Sequence, residues 1–319
     1  MNDINGSRLS RRLTQLGQIG FMPGEGTTRL PYTPAYDEGR TYVQRCMEQA
    51  GLQTSIDPVG NLVGELPGKG KTICIGSHID TVPGGGIYDG TYGVLAGIEC
   101  VQRLREMGYQ NRHPIQVVAF TEEEGNVIGG TFGSKAFTGG EIDEAMRPNL
   151  ALHGLTMEQV GACRRDLTQY QCYLELHIEQ GKVLEECKTQ VGIVGTIAGP
   201  VRYRVYLRGM AEHSGATPMD MRSDALCAAA EIILEMEKIG KWESAYQSVA
   251  TVGVVQNHPN VLNVIPGRVE LGVDMRGIDQ DSLDRMERAF KAAVRESCKK
   301  RGVEYVAEKN QQHSSDQYE

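Results

Sequence analysis

Apolar positions along the chain follow two patterns that alternate. Val43, Cys46, Met47 and Ala50 recur at three- and four-residue spacing and stop at Gly51, which predicts a helix over 36–51. Short strands are expected at 54–58 and 61–66. The unbroken apolar run at 72–76 then reads as a buried strand. A helix over 94–107 closes at Gly108, and 115–120 is a second buried strand. The alternation of Leu with polar residues over 173–178 and the run at 191–197 read as two further strands. Strands alternating with helices predict an α/β domain over 1–198, an open mixed sheet with helices on both faces.

The pattern changes after Gly199. A strand at 201–207 precedes an amphipathic helix over 224–238, with Ala225, Leu226, Ala229, Ile232, Ile233 and Met236 inward. Strands at 249–255 and 269–274, a long helix at 281–300 and a strand at 303–307 complete the order β-α-β-β-α-β. That order is the ferredoxin-like arrangement and predicts a small α+β domain over 199–309. Residues 310–319 read as a polar, frayed tail.

Charge and cysteine usage narrow the function classes. Lys and Arg total 33 against 41 Asp and Glu, a net charge of −8 with no basic block. Such a chain offers no electrostatic footprint for nucleic acid or an anionic membrane. The apolar stretch at 94–101 contains Glu99 and falls far short of the ~20 residues of a membrane span. Residues 1–12 lack the apolar core of a secretory signal. The eight cysteines form no C-x-x-C pair, so the expectation is buried free thiols in a reducing cytoplasm.

Candidate chemistry lies at strand ends, where open α/β sheets bind ligands. GSHIDTVPGGGIYDG (76–90) places His78, Asp80 and Asp89 in a Gly-rich loop after a buried strand. Imidazole and carboxylate suit Zn²⁺ or Mn²⁺, while a capped turn with solvated carboxylates is an equal reading of the spacing alone. TEEEG (121–125) ends the next buried strand with three acids whose mutual repulsion a cation would relieve, although taken alone a solvent-exposed acidic loop is the favoured reading. LELHIEQG (174–181) adds Glu175, His177, Glu179 and Gln180. Three strand ends that each offer His or carboxylate shift the balance toward a metal centre. In the second domain, His213 sits in a turn-rich stretch, and Asp224 fits a helix N-terminal acid. Asn263 and Arg276 could grip a substrate carboxylate, or could belong to a hairpin turn and a surface ion pair.

Together GSHIDTVPGGGIYDG, VVAFTEEEG with the later GSKAFTG, ELHIEQG, HSGATPMDMRSDA, NVIPG followed by DMR, TTRLPYT and IDPVGNL resemble the zinc-aminoacylase and carboxypeptidase-like superfamily. The similarity is greatest to its hydantoinase/carbamoylase-type amidases: N-carbamoyl-L-amino-acid hydrolases, allantoate amidohydrolases and β-alanine synthases. The resemblance implies two divalent ions (Zn, Mn, Co or Ni). His78 and His177 would hold the first, Glu124 the second, and Asp89 would bridge them. It implies that Glu123 is the general base, that Asp80 orients His78 and that Gln180 lies beside the substrate. His213, Asn263 and Arg276 would come from a lid domain that often serves a neighbouring subunit, so a homodimer is implied. The expected substrate is an N-carbamoyl-L-amino acid, with allantoate as the alternative.

Members of that superfamily return to the catalytic domain after the lid and supply a last metal-ligand His in an SGAGHDA-like motif. No such motif occurs here, and His313, in the polar tail, does not resemble it. The expectation is therefore a weakened second metal site and an incomplete catalytic sheet. A truncated, inactive or split enzyme with an intact dimerising lid is a further reading.

Overall fold

The computed structural model describes residues 4–310, which fall into two compact units, one ending at Gln190 and the other beginning at Val191. The tail beyond 310, with His313, lies outside the described residues.

In the first unit, helix α1 (Gly6–Gln18) is capped by the Asn5 side chain, which accepts from the Arg8 amide. Helix α2 (Pro34–Gln49) starts with Pro at its first turn behind the Thr33 cap, where the missing N–H costs nothing. The five-stranded sheet is built from β1 (Gln53–Ile56), β2 (Leu62–Leu66), β3 (Thr72–His78), β4 (Ile115–Phe120) and β5 (Tyr170–Leu174). Their order is β1-β2-β4-β3-β5, with β1, β2 and β4 antiparallel and β4, β3 and β5 parallel. Helix α3 (Thr91–Glu106) makes the crossover from β3 to β4. One face of the sheet packs Leu62, Val117 and Ala119 against Leu16, Met47, Leu95 and Ile98 of α1, α2 and α3. The other packs Val63, Cys74, Val118 and Phe120 against Phe137 of helix α4 (Phe132–Thr138). This is a mixed sheet covered on both faces.

The second unit runs β6 (Gly199–Arg208), α5 (Ala225–Glu243), β7 (Val249–His258), β8 (Arg268–Gly277), α6 (Gln280–Arg301) and β9 (Glu304–Asn310). The sheet order is β9-β6-β8-β7, all antiparallel, which is the ferredoxin-like arrangement. Asp224 caps α5 by accepting from the Leu226 and Cys227 amides. The two helices close one core with the buried side of the sheet, centred on Ile232, Leu271, Met286 and Phe290.

Three sequence expectations need correction. Strand β5 ends at Leu174, so Glu175 to Ile178 leave the ladder and carry His177 as loop. No strand forms at 191–197: Val191, Ile193, Val194 and Ile197 stand exposed, with no neighbouring strand to pair with among the described residues. All eight cysteines are free, but only Cys46, Cys74, Cys163 and Cys298 are buried. No helix among the described residues is long and apolar enough to cross a membrane.

Candidate metal centre

The three parallel strands end side by side, and the residues past their carboxyl ends build the site. His78 closes β3 level with Phe120 of β4, and its ring is 4% exposed. The chain then folds back through a Gly-rich loop to Asp89 and Gly90. Gly90 has φ 61°, and a side chain there would run into the His78 imidazole, so this position takes glycine on both counts. Gly93 of α3 likewise lies against the Leu176 carbonyl, one residue before His177.

His78, Asp89 and His177 present ligand atoms within 4.8 Å of one another. Asp89 Oδ1 lies 3.2 Å from His177 Nε2 and 4.0 Å from His78 Nε2. The other ring nitrogens face carbonyl oxygens: His78 Nδ1 at 3.0 Å from that of Asp80, His177 Nδ1 at 2.7 Å from that of Ile178. A carbonyl only accepts, which assigns the proton to Nδ1 in each neutral ring and aims a bare Nε2 lone pair at Asp89. Asp89 Oδ1 is buried and has no hydrogen-bond donor. Two imidazole nitrogens and a carboxylate oxygen thus converge on one spot, which suits a divalent cation held by two imidazoles and a carboxylate with room for a further ligand.

The field around the triad is negative. Burial opposes charge on His78, but Asp80, Glu123 and Glu124 outweigh it and push the imidazole up to about 9, so a cation taking its Nε2 would have to displace a proton. The same carboxylates would attract a metal ion. Asp80 is fully buried; its Oδ2 accepts from the Glu124 amide at 3.0 Å, and its Oδ1 lies 3.5 Å from His78 Nδ1. Gln180, with φ 56°, donates Nε2–H to Asp89 Oδ2 at 2.6 Å, so it contacts the triad's own carboxylate.

The three acids of TEEEG part company in the structure. Glu122, at φ 58° and fully buried, turns inward, and its Oε1 accepts from the amides of Val127, Ile128 and Gly129 at 2.7, 2.6 and 3.1 Å. Repulsion among three acids at a metal is therefore the wrong picture for Glu122, which organises the loop. Glu123 Oε2 accepts from Ser134 Oγ at 3.1 Å, and burial pushes its carboxyl up to about 7. Burial also raises Glu124, whose carboxylate is not part of the triad. Of the remaining acids, Glu175 binds Ser77 and Tyr173, and Glu179 caps the amides of Val183 and Leu184.

In the second unit, His213 forms a bridge to Val264, and the Ser214 amide donates to the Asn263 carbonyl at 3.0 Å, so His213 and Asn263 share one stitched loop pair. Arg276 lies elsewhere. It follows Arg268 by eight positions on β8, roughly 26 Å along the strand, and its Nε donates to Asp274 Oδ2 at 2.7 Å. Sequence reasoning gave no separate role to Ser134, Gly90 or Gly93, and grouped Glu122 with the acids at the metal. The only advance signal for Glu122 was its place, first of three acids after a strand too apolar to end in open solvent.

Imidazole and carboxylate ligands past the carboxyl ends of a parallel sheet define a metallohydrolase type of site. Residues 74–316 match the model of peptidase family M20/M25/M40, and the chain belongs to that family. It is 38% identical to an N-carbamoyl-L-amino acid amidohydrolase from Geobacillus stearothermophilus, over 97% of this chain and 78% of that one. It is 35% identical to an allantoate amidohydrolase from Bacillus subtilis, over 91% of this chain and 74% of that one. Among solved structures, a hydantoinase/carbamoylase family amidase from Burkholderia ambifaria superposes with a TM-score of 0.78 at 34% identity, covering 97% of this chain and 79% of that one.

Proposed function

We propose that the chain is a divalent-metal-dependent amidohydrolase that cleaves the ureido C–N bond of an N-carbamoyl-L-amino acid, consuming water and releasing the amino acid, CO₂ and ammonia. The observation that carries this reading is the convergence of the His78 and His177 Nε2 atoms on the buried Asp89 Oδ1. The names of the relatives support the bond class. His78, Asp89 and His177 would hold one ion, and Asp89 with Glu124 would hold a second. Such ions, when bound, supply Lewis-acid polarisation of a carbonyl weakened as an electrophile by two nitrogens, and ease ionisation of the attacking water. Asp80 keeps His78 in its orientation. Glu123, buried and already basic for a carboxylate, takes a proton from the water and returns it to the leaving nitrogen. Gln180 steadies Asp89, and His213, Asn263 and Arg276 are assigned to substrate contact on the resemblance alone.

A homodimer belongs to the same proposal. His213 and Asn263 sit in loops beside the Arg268 end of β8, whereas Arg276 is near its other end, an arrangement that fits a site shared between two copies of the chain. Allantoate is the second reading, favoured by a relative nearly as similar as the first. The test is metal content of the purified chain after loading with Mn²⁺ or Zn²⁺ and desalting, followed by ammonia release from N-carbamoyl-L-methionine and from allantoate. Retained metal with turnover of the first compound is expected. Faster turnover of allantoate selects the second reading, and retained metal with turnover of neither refutes both.

A further inference from the structure

Arg29 is a cation placed where cations are rarely found. Its side chain is fully buried, and among the described residues no carboxylate is hydrogen-bonded to it. Burying an unpaired guanidinium costs several kcal/mol unless its donors are matched. Here they are spent on backbone. Nε donates to the Ile79 carbonyl at 2.7 Å, and Nη1 donates to the Leu16 and Ile19 carbonyls at 2.9 and 3.0 Å. The Arg29 amide donates to Thr81 Oγ1 at 2.9 Å, and the Thr81 amide returns a bond to the Arg29 carbonyl at 3.2 Å. Nη2 has no partner and is buried, as are Tyr36 Oη and Asp80 Oδ1. Burial lowers the guanidinium to about 10, with Tyr36 and Asp80 offsetting part of the effect, so it stays charged at neutral pH.

Two features of this set exceed what stability needs. The bonds to Leu16 and Ile19 close the carboxyl end of α1, where orphan carbonyls favour a cation. The bonds to Ile79 and Thr81 grip the chain on both sides of Asp80, one and three residues past His78. A neutral donor could satisfy those carbonyls without a buried charge. The guanidinium adds a positive field near Asp80, whose Oδ2 accepts from the Glu124 amide at 3.0 Å and whose Oδ1 lies 3.5 Å from His78 Nδ1. Its planar fork also fixes two directions at once, which a lysine cannot do.

We propose that Arg29 is a positioning residue for the metal centre: by tying the end of α1 to the turn His78–Thr81 it sets the orientation of His78 and Asp80, and thereby the affinity and geometry of the bound ion. The inference rests on the metal-centre reading above and adds a residue outside the ligand set.

The test uses the full chain and Co²⁺ alone as probe, read by its visible absorption, with circular dichroism and thermal unfolding of the metal-free protein alongside. Arg29→Met is expected to remain folded while Co²⁺ affinity falls ~10–100-fold, the range for residues that orient ligands, with a changed d–d band. Arg29→Lys should lie between it and the unmodified chain. Met47→Ala, a cavity in the same core, should lower the melting temperature without moving Co²⁺ affinity or spectrum. An Arg29→Met protein with affinity within twofold and a superimposable spectrum overturns the proposal. So does an equal loss of affinity in Met47→Ala. Failure of both Arg29 variants to fold also overturns it, by making Arg29 a determinant of the fold. An unmodified chain that takes up no Co²⁺ refutes the metal-centre reading itself, and this inference with it.

Discussion

Replacing Glu122 with Ala removes the acceptor on which the loop carrying Glu123 and Glu124 is hung. Glu122 Oε1 receives three amides, of which the bond from Ile128 is buried and those from Val127 and Gly129 are half-buried. An orphaned buried donor costs about 1–3 kcal/mol, and a half-buried one that recovers water costs about 0.5–1.5 kcal/mol. Relief of the cost of burying a carboxylate, which already raises the Glu122 pKa, offsets part of the sum. A net loss of about 3 kcal/mol follows for the first unit. For a unit of this size that is a melting shift of roughly 6–12 °C. Calorimetry reads it as a lowered transition of the first unit, with the second unit as internal reference, since a two-unit chain need not melt in one step. Hydrogen exchange should localise the effect to the amides of 125–131. Glu122→Gln keeps an acceptor of the same shape and should recover more than half of the loss. A shift below about 1 °C with unchanged exchange at 125–131 would refute the reasoning, because the three bonds would then carry no net free energy.

Other outcomes follow from the same geometry. Asp89→Asn removes the charge at the convergence point, and titration calorimetry should show divalent-ion affinity reduced at least ~100-fold with the fold intact. Gly93→Ala drives a methyl into the Leu176 carbonyl and displaces the His177 loop; metal binding should weaken together with a stability loss of about 1–3 kcal/mol, measured by denaturant titration. Glu99 is fully buried against Arg8 at 2.6 Å and Arg12 at 3.4 Å, so Glu99→Gln, which leaves buried Arg12 without a carboxylate while Arg8 keeps Glu106, should cost about 3 kcal/mol in the same assay. In the second unit, burial works against ionisation of Glu287, but Lys291, Lys309 and Tyr203 outweigh it and bring the carboxyl to about 2. A depressed carboxylate stabilises above its unfolded value and loses that contribution as pH falls toward 2. Because its lysine partners are half-exposed and screened, Glu287→Gln should lower the second unit's stability at pH 7 by no more than about 1 kcal/mol and flatten its decline between pH ~4.5 and 2, followed by thermal melts across pH.

The regular elements were legible because their causes are local. Apolar periodicity and the cap at Asp224 depend on residues within a turn or two of each other, and the β-α-β-β-α-β order of the second unit is read directly from them. His78, Asp89 and His177 could be nominated because each follows a buried strand or its loop, where a polar ligand-type side chain has no packing role. The failures share one cause: 173–178 and 191–197 have strand-like composition, yet a strand needs a neighbour to take its hydrogen bonds. Past Leu174 and throughout 191–197 none is supplied among the described residues.

Sequence by itself thus determined helices α2 and α3 and the buried strands β3 and β4 of the first unit, the fold of the second unit and the short list of groups able to bind a metal, while helices α1 and α4 went unread. Only the tertiary structure decided which of those groups meet. It brought two imidazoles to one carboxylate oxygen, turned Glu122 away from its neighbours into a cage of amides, and paired Arg276 with Asp274 at the far end of β8. It also placed Arg29 beneath Asp80, 51 positions further along the chain. Local propensity acts over a turn of chain, whereas the burial of a charge and the direction of a lone pair depend on residues 50 to 100 positions away.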